Sequence, residues 1–236
     1  MSPSAHPDAP LVSVVIPAYN PEDYLLEAIA SIERQTHSNW ECIVVDDGTN
    51  EPGSRALLDS IEARGDPRIR VVRQPNKGLA AARNTGFREA RGEFVVPLDA
   101  DDLLEPEMMA ACLREFRIRP GAGFAYFDYH VFGDNSYLER PGDYNVYRLL
   151  NENFLSYCCF VPKRVWEDAG GYDEWHRWGY EDWSFYLNLA KRGYFGRYLP
   201  RPLFRYRTHG RGLHYVGLER HDSNWAHMQQ AHPDLL

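Results

Sequence analysis

The stretch LVSVVIPAYN, from Leu11, is nearly continuous in β-branched and apolar residues, with no polar alternation. That is the pattern of a parallel strand covered on both faces, and it predicts a buried strand bracketed at its end by Pro17 and Pro21. WECIVVDDG repeats the pattern and ends in Asp46 and Asp47, IRVVRQ gives a short third strand, and EFVVPLD a further one. Between them lie segments of helical period: PEDYLLEAIASIERQ, with Leu25, Leu26, Ile29 and Ile32 on one face and Pro21 suited to a first turn; SRALLDSIEARG, with Leu57, Leu58 and Ile61 in contact range; and GLAAARNTGFREARG. Strands alternating with helices predict an α/β chain with a Rossmann-like, mostly parallel central sheet flanked by helices and joined by right-handed crossovers.

Beyond Pro106 the rhythm loosens into a helix, PEMMAACLREFRIRP, a strand-like run, GFAYFDYHVFG, and a region rich in Tyr, Trp, Phe and Gly. No repeat or linker marks a boundary, so residues 1–236 read as one domain. Residues 11–103 carry the regular strand–helix alternation and 104–236 the looser half, which reads as the part that shapes a pocket.

Ligands of an open parallel sheet gather beyond the carboxyl ends of its strands. Asp46, Asp47, Asp99 and Asp101 all fall at such ends. VVPLDADD drops from an apolar strand straight into Asp99, Asp101 and Asp102, a cluster that repels itself unless something neutralises it. The chain has no G-x-G-x-x-G turn and no P-loop, so a divalent cation, Mn²⁺ or Mg²⁺, bridging carboxylates to a diphosphate fits both sets of charge. The plain alternative is a solvated loop or a helix cap, and Asp102, just ahead of LLEPEMM, reads as the start of the following helix.

In GYEDWSFYLNLAKRG, Trp183, Tyr186, Leu187 and Ala190 recur at helical spacing, which puts Glu181 and Asp182 in or just before a first turn. The plain reading of these two acids is a helix cap paired with Lys191 or Arg192. Trp175, Trp178, Tyr180 and Trp183 crowd the same stretch, either for stacking on a ligand or as ordinary core.

The formal net charge of −8 and a pI near 5.6 argue against phosphate-neutralising nucleic-acid binding. The leader MSPSAHPDAP lacks a basic start and an apolar core, and no run approaches the roughly 20 apolar residues of a membrane span. These features predict a soluble, cytoplasmic chain with a short flexible leader, peripheral membrane contact being left open. Cys42, Cys112, Cys158 and Cys159 lack paired spacing and read as free thiols.

Taken together and in this order, VSVVIPAYN, SIERQT, ECIVVDDGT, NKGLAAARNTG, GEFVVPLDADD and GGYDEWHRWGYEDWSFYLNLAKRG resemble a family 2 glycosyltransferase with a GT-A fold. The resemblance runs from about Val12 to Gly193 and continues loosely through FRYRTHG. It implies an inverting transferase that moves a sugar from a nucleotide-diphosphate donor, a UDP-sugar in the first instance, to a hydroxyl of a glycan or small-molecule acceptor, with Mn²⁺ or Mg²⁺. It implies Asp101 as metal contact with Asp99 in support near the donor's ribose and phosphates, and His209 as a further metal or phosphate contact. Pro17, Ala18 and Tyr19 would line the base and ribose pocket, and Asp47 would hold the base. Lys77, Arg83 and Ala100 would lie on the donor side, Arg83 offering forked donors to phosphate or base. Asp182 would be the general base, with Glu181 beside it as a possible acceptor-binding group.

Three rivals stand against this reading. A phosphorylation receiver would need a later strand-end lysine, which is not evident. A sugar-1-phosphate nucleotidyltransferase would need a glycine-rich basic loop after the first strand, where PAYNPED has neither feature. A sugar-nucleotide binding module without transfer activity is separable only by assay.

Overall fold

The computed structural model describes residues 9–177, 179–210, 217 and 219–235, so the first eight residues of the expected flexible leader and Trp178 lie outside the described residues. A five-stranded sheet takes the order β3-β2-β1-β4-β8, built from β1 (Val12–Ala18), β2 (Trp40–Asp47), β3 (Ile69–Gln74), β4 (Phe94–Pro97) and the two-residue β8 (Val161–Pro162). Its first four strands are mutually parallel and β8 is an antiparallel edge.

The unbroken apolar runs follow from cover on both sides. Val12, Val14 and Ile16 pack with Leu25, Ala28, Ile29 and Ile32 of α1 (Tyr24–Glu33), while Val15, Ile43 and Val45 pack with Ala80, Ala82 and Phe87 of α3 (Leu79–Glu89). α2 (Pro52–Ala63) lies against β3 through Leu58 and Ile61. Two details of α1 differ from the expectation. The helix begins at Tyr24 rather than near Pro21, and that phase turns Leu26 outward while Ala28 takes the inward place.

α3 approaches the sheet more closely than ordinary side chains permit. A Cβ on Gly86 would lie 2.2 Å from Val15 Cγ1, so the small residues of NKGLAAARNTG serve helix-on-sheet contact. Gly86→Ala is therefore expected to cost about 1–3 kcal/mol by overpacking, read as a lower denaturant midpoint at unchanged slope.

A second sheet has the order β5-β9-β6-β7, from β5 (Leu103–Leu104), β6 (Phe124–Gly133), which is the expected strand-like run, β7 (Tyr137–Glu139) and the long β9 (Gly196–Thr208). Its strongest pairing is parallel, β6 with β9, and the register shifts near Asp128. α4 (Met108–Ile118), α5 (Val146–Leu149), α6 (Lys163–Ala169), α7 (Glu181–Lys191) and α8 (His221–Ala231) are the further helices among the described residues. All four cysteines are buried free thiols, as the spacing predicts. Among the described residues no helix is long and apolar enough to cross a membrane.

Candidate active site

Register brings the strand ends together. Pro17 and Ala18 pair with Val45 and Asp46, and β4 runs beside β1, so Tyr19, Asp46, Asp47 and Asp99 leave the sheet along one edge. Pro17 and Ala18 are buried within β1, whereas Tyr19 is 51% exposed. Asn20 follows in the left-handed region, at φ 47°, a conformation Asn tolerates better than most side chains. Its Oδ1 accepts from the backbone N–H groups of Asn50 and Glu51 at 2.9 and 3.1 Å, tying the first strand-end loop to the second.

Asp47 organises the loop that leads into α3. Its Oδ1 accepts from Gln74 Nε2 at 2.7 Å and the Lys77 N–H at 2.8 Å, and its Oδ2 from the Gly78 N–H at 2.8 Å. The Lys77 side chain is exposed.

After β4 the chain turns tightly, the Asp102 N–H donating to the Asp99 carbonyl at 3.2 Å. Asp99 and Ala100 are half-buried and Asp101 opens to solvent, its side chain 37% exposed. Asp101 Oδ2 stands 2.8 Å from His209 Nε2, so the late-loop histidine lies against the acidic turn.

Asp102 does not start a helix. α4 begins at Met108, and the intervening Leu103 and Leu104 form β5, which pairs with β9. With 1% exposure, Asp102 accepts from Tyr157 Oη at 2.5 Å and from the Arg207 N–H at 2.6 Å. Burial pushes its carboxyl well up, and the neighbouring charges of Asp101 and Asp99 push the same way. Tyr157 Oη also accepts from the Asp99 N–H at 2.9 Å, and Arg207 Nε donates to the Asp101 carbonyl at 2.7 Å. Tyr157 and Arg207 thus fix the acidic turn from opposite sides.

Arg83 joins the two halves of the site. Only 1% exposed, it donates from Nη2 to Asp99 Oδ1 at 2.7 Å and from Nη1 to Glu181 Oε1 at 2.5 Å. Both ends of its fork therefore go to carboxylates, which corrects the expectation of a fork open to phosphate or base. Burial works against the Arg83 charge, but Asp99 and Glu181 outweigh it and hold the guanidinium firmly protonated. Arg83 also lies over the Tyr157 ring, 4.8 Å from its centroid.

Glu181 and Asp182 occupy the first turn of α7, as the helical spacing predicts. The preceding Tyr180 has φ 74°, a strained value for a bulky residue and one worth of order 1 kcal/mol or more at a functional turn. Burial raises Glu181 to about 7 against the opposing pull of Arg83, and its Oε2 is buried without a hydrogen-bond partner among the described residues. Asp182 Oδ2 accepts from Asn153 Nδ2 at 3.0 Å and Oδ1 from the Trp183 N–H at 2.8 Å. Burial raises Asp182 too, with Arg83 and these donors opposing. The helix-cap alternative is absent, because Lys191 faces Asp234 and Arg192 faces Asp168. Asp99, itself raised by burial, feels the charges of both Asp101 and Asp182, which puts the two acidic groups in one electrostatic neighbourhood.

The aromatic stretch divides by role. Trp183 is core, its Nε1 donating to the Leu149 carbonyl at 2.7 Å, whereas Trp175 is 50% exposed. Tyr157, Asn153 and Arg207 carry no motif, and only their contacts reveal them. For Arg207, its place two residues before His209 in FRYRTHG was the one available signal.

The family model for glycosyl transferase family 2 matches residues 13–189. Chondroitin synthase of Escherichia coli is 31% identical over 196 residues, covering 79% of this chain and 27% of that protein. The putative teichuronic acid biosynthesis glycosyltransferase TuaG of Bacillus subtilis is 29% identical over 191 residues, covering 78% and 74%. The chain spans only 21–30% of the length of three of the curated relatives it matches, TuaG being longer in coverage. Among solved structures, S. aureus TarS 1–349 in complex with UDP-GlcNAc superposes with a TM-score of 0.71 at 16% identity, over 94% of this chain and 72% of that one. Mannosyltransferase PcManGT from Pyrobaculum calidifontis, in complex with GDP-Man and Mn²⁺, gives 0.69 at 24% identity, over 89% and 61%. Those likenesses establish the fold as that of the GT-A glycosyltransferases. By the family match across most of its length, this chain belongs to glycosyl transferase family 2.

Proposed function

We propose that the chain transfers a sugar, with inversion, from a nucleotide-diphosphate donor to an acceptor hydroxyl, with Asp182 as general base and Asp101 and His209 as holders of a divalent cation. The observation that carries this reading is the Arg83 bridge, which sets the acidic turn after β4 and the acid pair of α7 around one guanidinium. A donor's diphosphate and an acceptor's hydroxyl need those two groups side by side.

Asp101 Oδ2 and His209 Nε2, 2.8 Å apart on partly exposed side chains, form an oxygen and nitrogen donor set suited to Mn²⁺ and compatible with Mg²⁺. A cation held there would supply positive charge to the leaving diphosphate. Asp99 is turned toward Arg83 and supports this arrangement from behind. On the acceptor side, Asn153 and the helix start aim the Asp182 carboxylate, and its raised affinity for a proton makes it a better base than an exposed aspartate. Glu181 sits behind it against Arg83, which suits a positioning role. Exposed Tyr19, at the edge of the sheet, is placed to meet the nucleotide base.

The solved relatives with UDP-GlcNAc and with GDP-Man support a nucleotide-sugar donor, and a UDP-sugar is the first choice. Presented with a panel of nucleotide sugars, the chain should release nucleoside diphosphate from one of them with Mn²⁺ and fall to background with chelator. Asp101→Asn should abolish the response to added Mn²⁺. Donor binding without turnover under every acceptor tried would return the chain to the silent binding module.

A further inference from the structure

Away from the acidic turn, the loop between α6 and α7 meets α8 in a second cluster of ligand-bearing side chains. Asp173, His176 and His227 each direct one donor atom into a common point, all within 4.8 Å of one another. Asp173 Oδ2 and His227 Nε2 are 2.7 Å apart. His176 is fully buried, and neither of its ring nitrogens has a hydrogen-bond partner among the described residues. A buried imidazole with both nitrogens unpartnered forgoes interactions that native interiors nearly always supply. A ligand that accepts a nitrogen lone pair would satisfy one of those two nitrogens.

We infer that Asp173, His176 and His227 form a binding site for a divalent transition-metal ion of the zinc class, separate from the cation site at Asp101. Two imidazoles and a carboxylate are the donor set of such ions, whereas Mg²⁺ and Ca²⁺ prefer oxygen alone. Zinc bonds of about 2.0–2.2 Å in tetrahedral array place donors about 3.3–3.5 Å apart, so modest side-chain shifts close the site.

The surroundings prepare the ligands. Asp173 is held in place by the Trp175 N–H, which donates to its Oδ1 at 3.0 Å. The Trp175 ring stacks on His227 at 3.9 Å and 7°, fixing the imidazole plane. The ion would staple α8 to the loop that runs from Asp173 into Glu181 and Asp182. The upstream end of that loop is already held, Asn84 Oδ1 accepting from the Tyr172 N–H at 2.8 Å.

The test uses untagged chain stripped with chelator, reloaded with Zn²⁺, desalted and analysed for metal. Wild type and Asp101→Asn should each retain about one zinc per chain, and His227→Ala should bind it at least about tenfold more weakly. Zinc should raise the melting temperature of wild type but not of His227→Ala. As a check that needs no variant, Co²⁺-loaded wild type should show the visible absorption of a four- or five-coordinate ion. Failure of wild type to retain zinc, equal retention by His227→Ala, loss of zinc in Asp101→Asn, or a Co²⁺ spectrum like that of the free aqueous ion would each overturn the inference.

Discussion

Asp182→Asn should leave a folded chain that binds donor and turns it over about 10²–10⁴-fold more slowly, the usual loss when a positioned base is removed. Asparagine keeps the size of the side chain and can still meet Asn153 through its amide oxygen, so the effect should fall on kcat rather than on donor affinity. On the proposed mechanism Asp182 acts only when unprotonated, and burial raises its affinity for the proton. The acid limb of the rate profile should therefore lie above the ordinary aspartate range near 3.8 and be missing from what activity remains in the variant. The same shifts carry a stability cost of definite sign. A carboxyl raised on folding favours the native state at acid pH, and for Glu181 that contribution fades as pH climbs from 4.5 to about 7. Wild-type kcat in Asp182→Asn would remove Asp182 from the base role.

The second large effect is expected from Arg83→Met. Removing one partner of a buried ionic network leaves the others uncompensated, and such losses run to about 3–5 kcal/mol. Here two carboxylates, Asp99 and Glu181, would be stranded, and both would take up protons on folding. Equilibrium denaturation should show the loss at pH 8 and a smaller one at pH 5, where protonation relieves the burial. Adding Asp99→Asn and Glu181→Gln to Arg83→Met should restore much of the stability without restoring turnover. A single-variant loss below 1 kcal/mol would mean that water or a shift of the backbone compensates the carboxylates.

The first sheet was legible because its strands are covered on both faces, which leaves unbroken apolar runs such as VSVVI and CIVV. Of the second sheet, only β6 was, through the run GFAYFDYHVFG. β9 carries Pro200 and Pro202 and alternates charge with aromatics, so GRYLPRPLFRYRT gives a weak strand signal, although it is the longest strand described. Asp182 and Glu181 could be placed because helical spacing is local. Their partners could not, because Asn153 and Arg83 reach them across 29 and 98 positions of sequence. Asp102 misled for a related reason: an acid before Leu-Leu-Glu-Pro looks like a cap until β9 arrives to make those leucines a strand.

The Arg83 bridge also sets a timetable for synthesis. Arg83 and Asp99 leave the ribosome close together, but Glu181 follows Arg83 by 98 positions. At roughly 5–20 residues per second, the guanidinium waits about 5–20 s for its second carboxylate. Through that interval the nascent sheet holds a cation that it cannot yet bury at full benefit, so the first half has reason to stay loosely packed around α3 until α7 arrives.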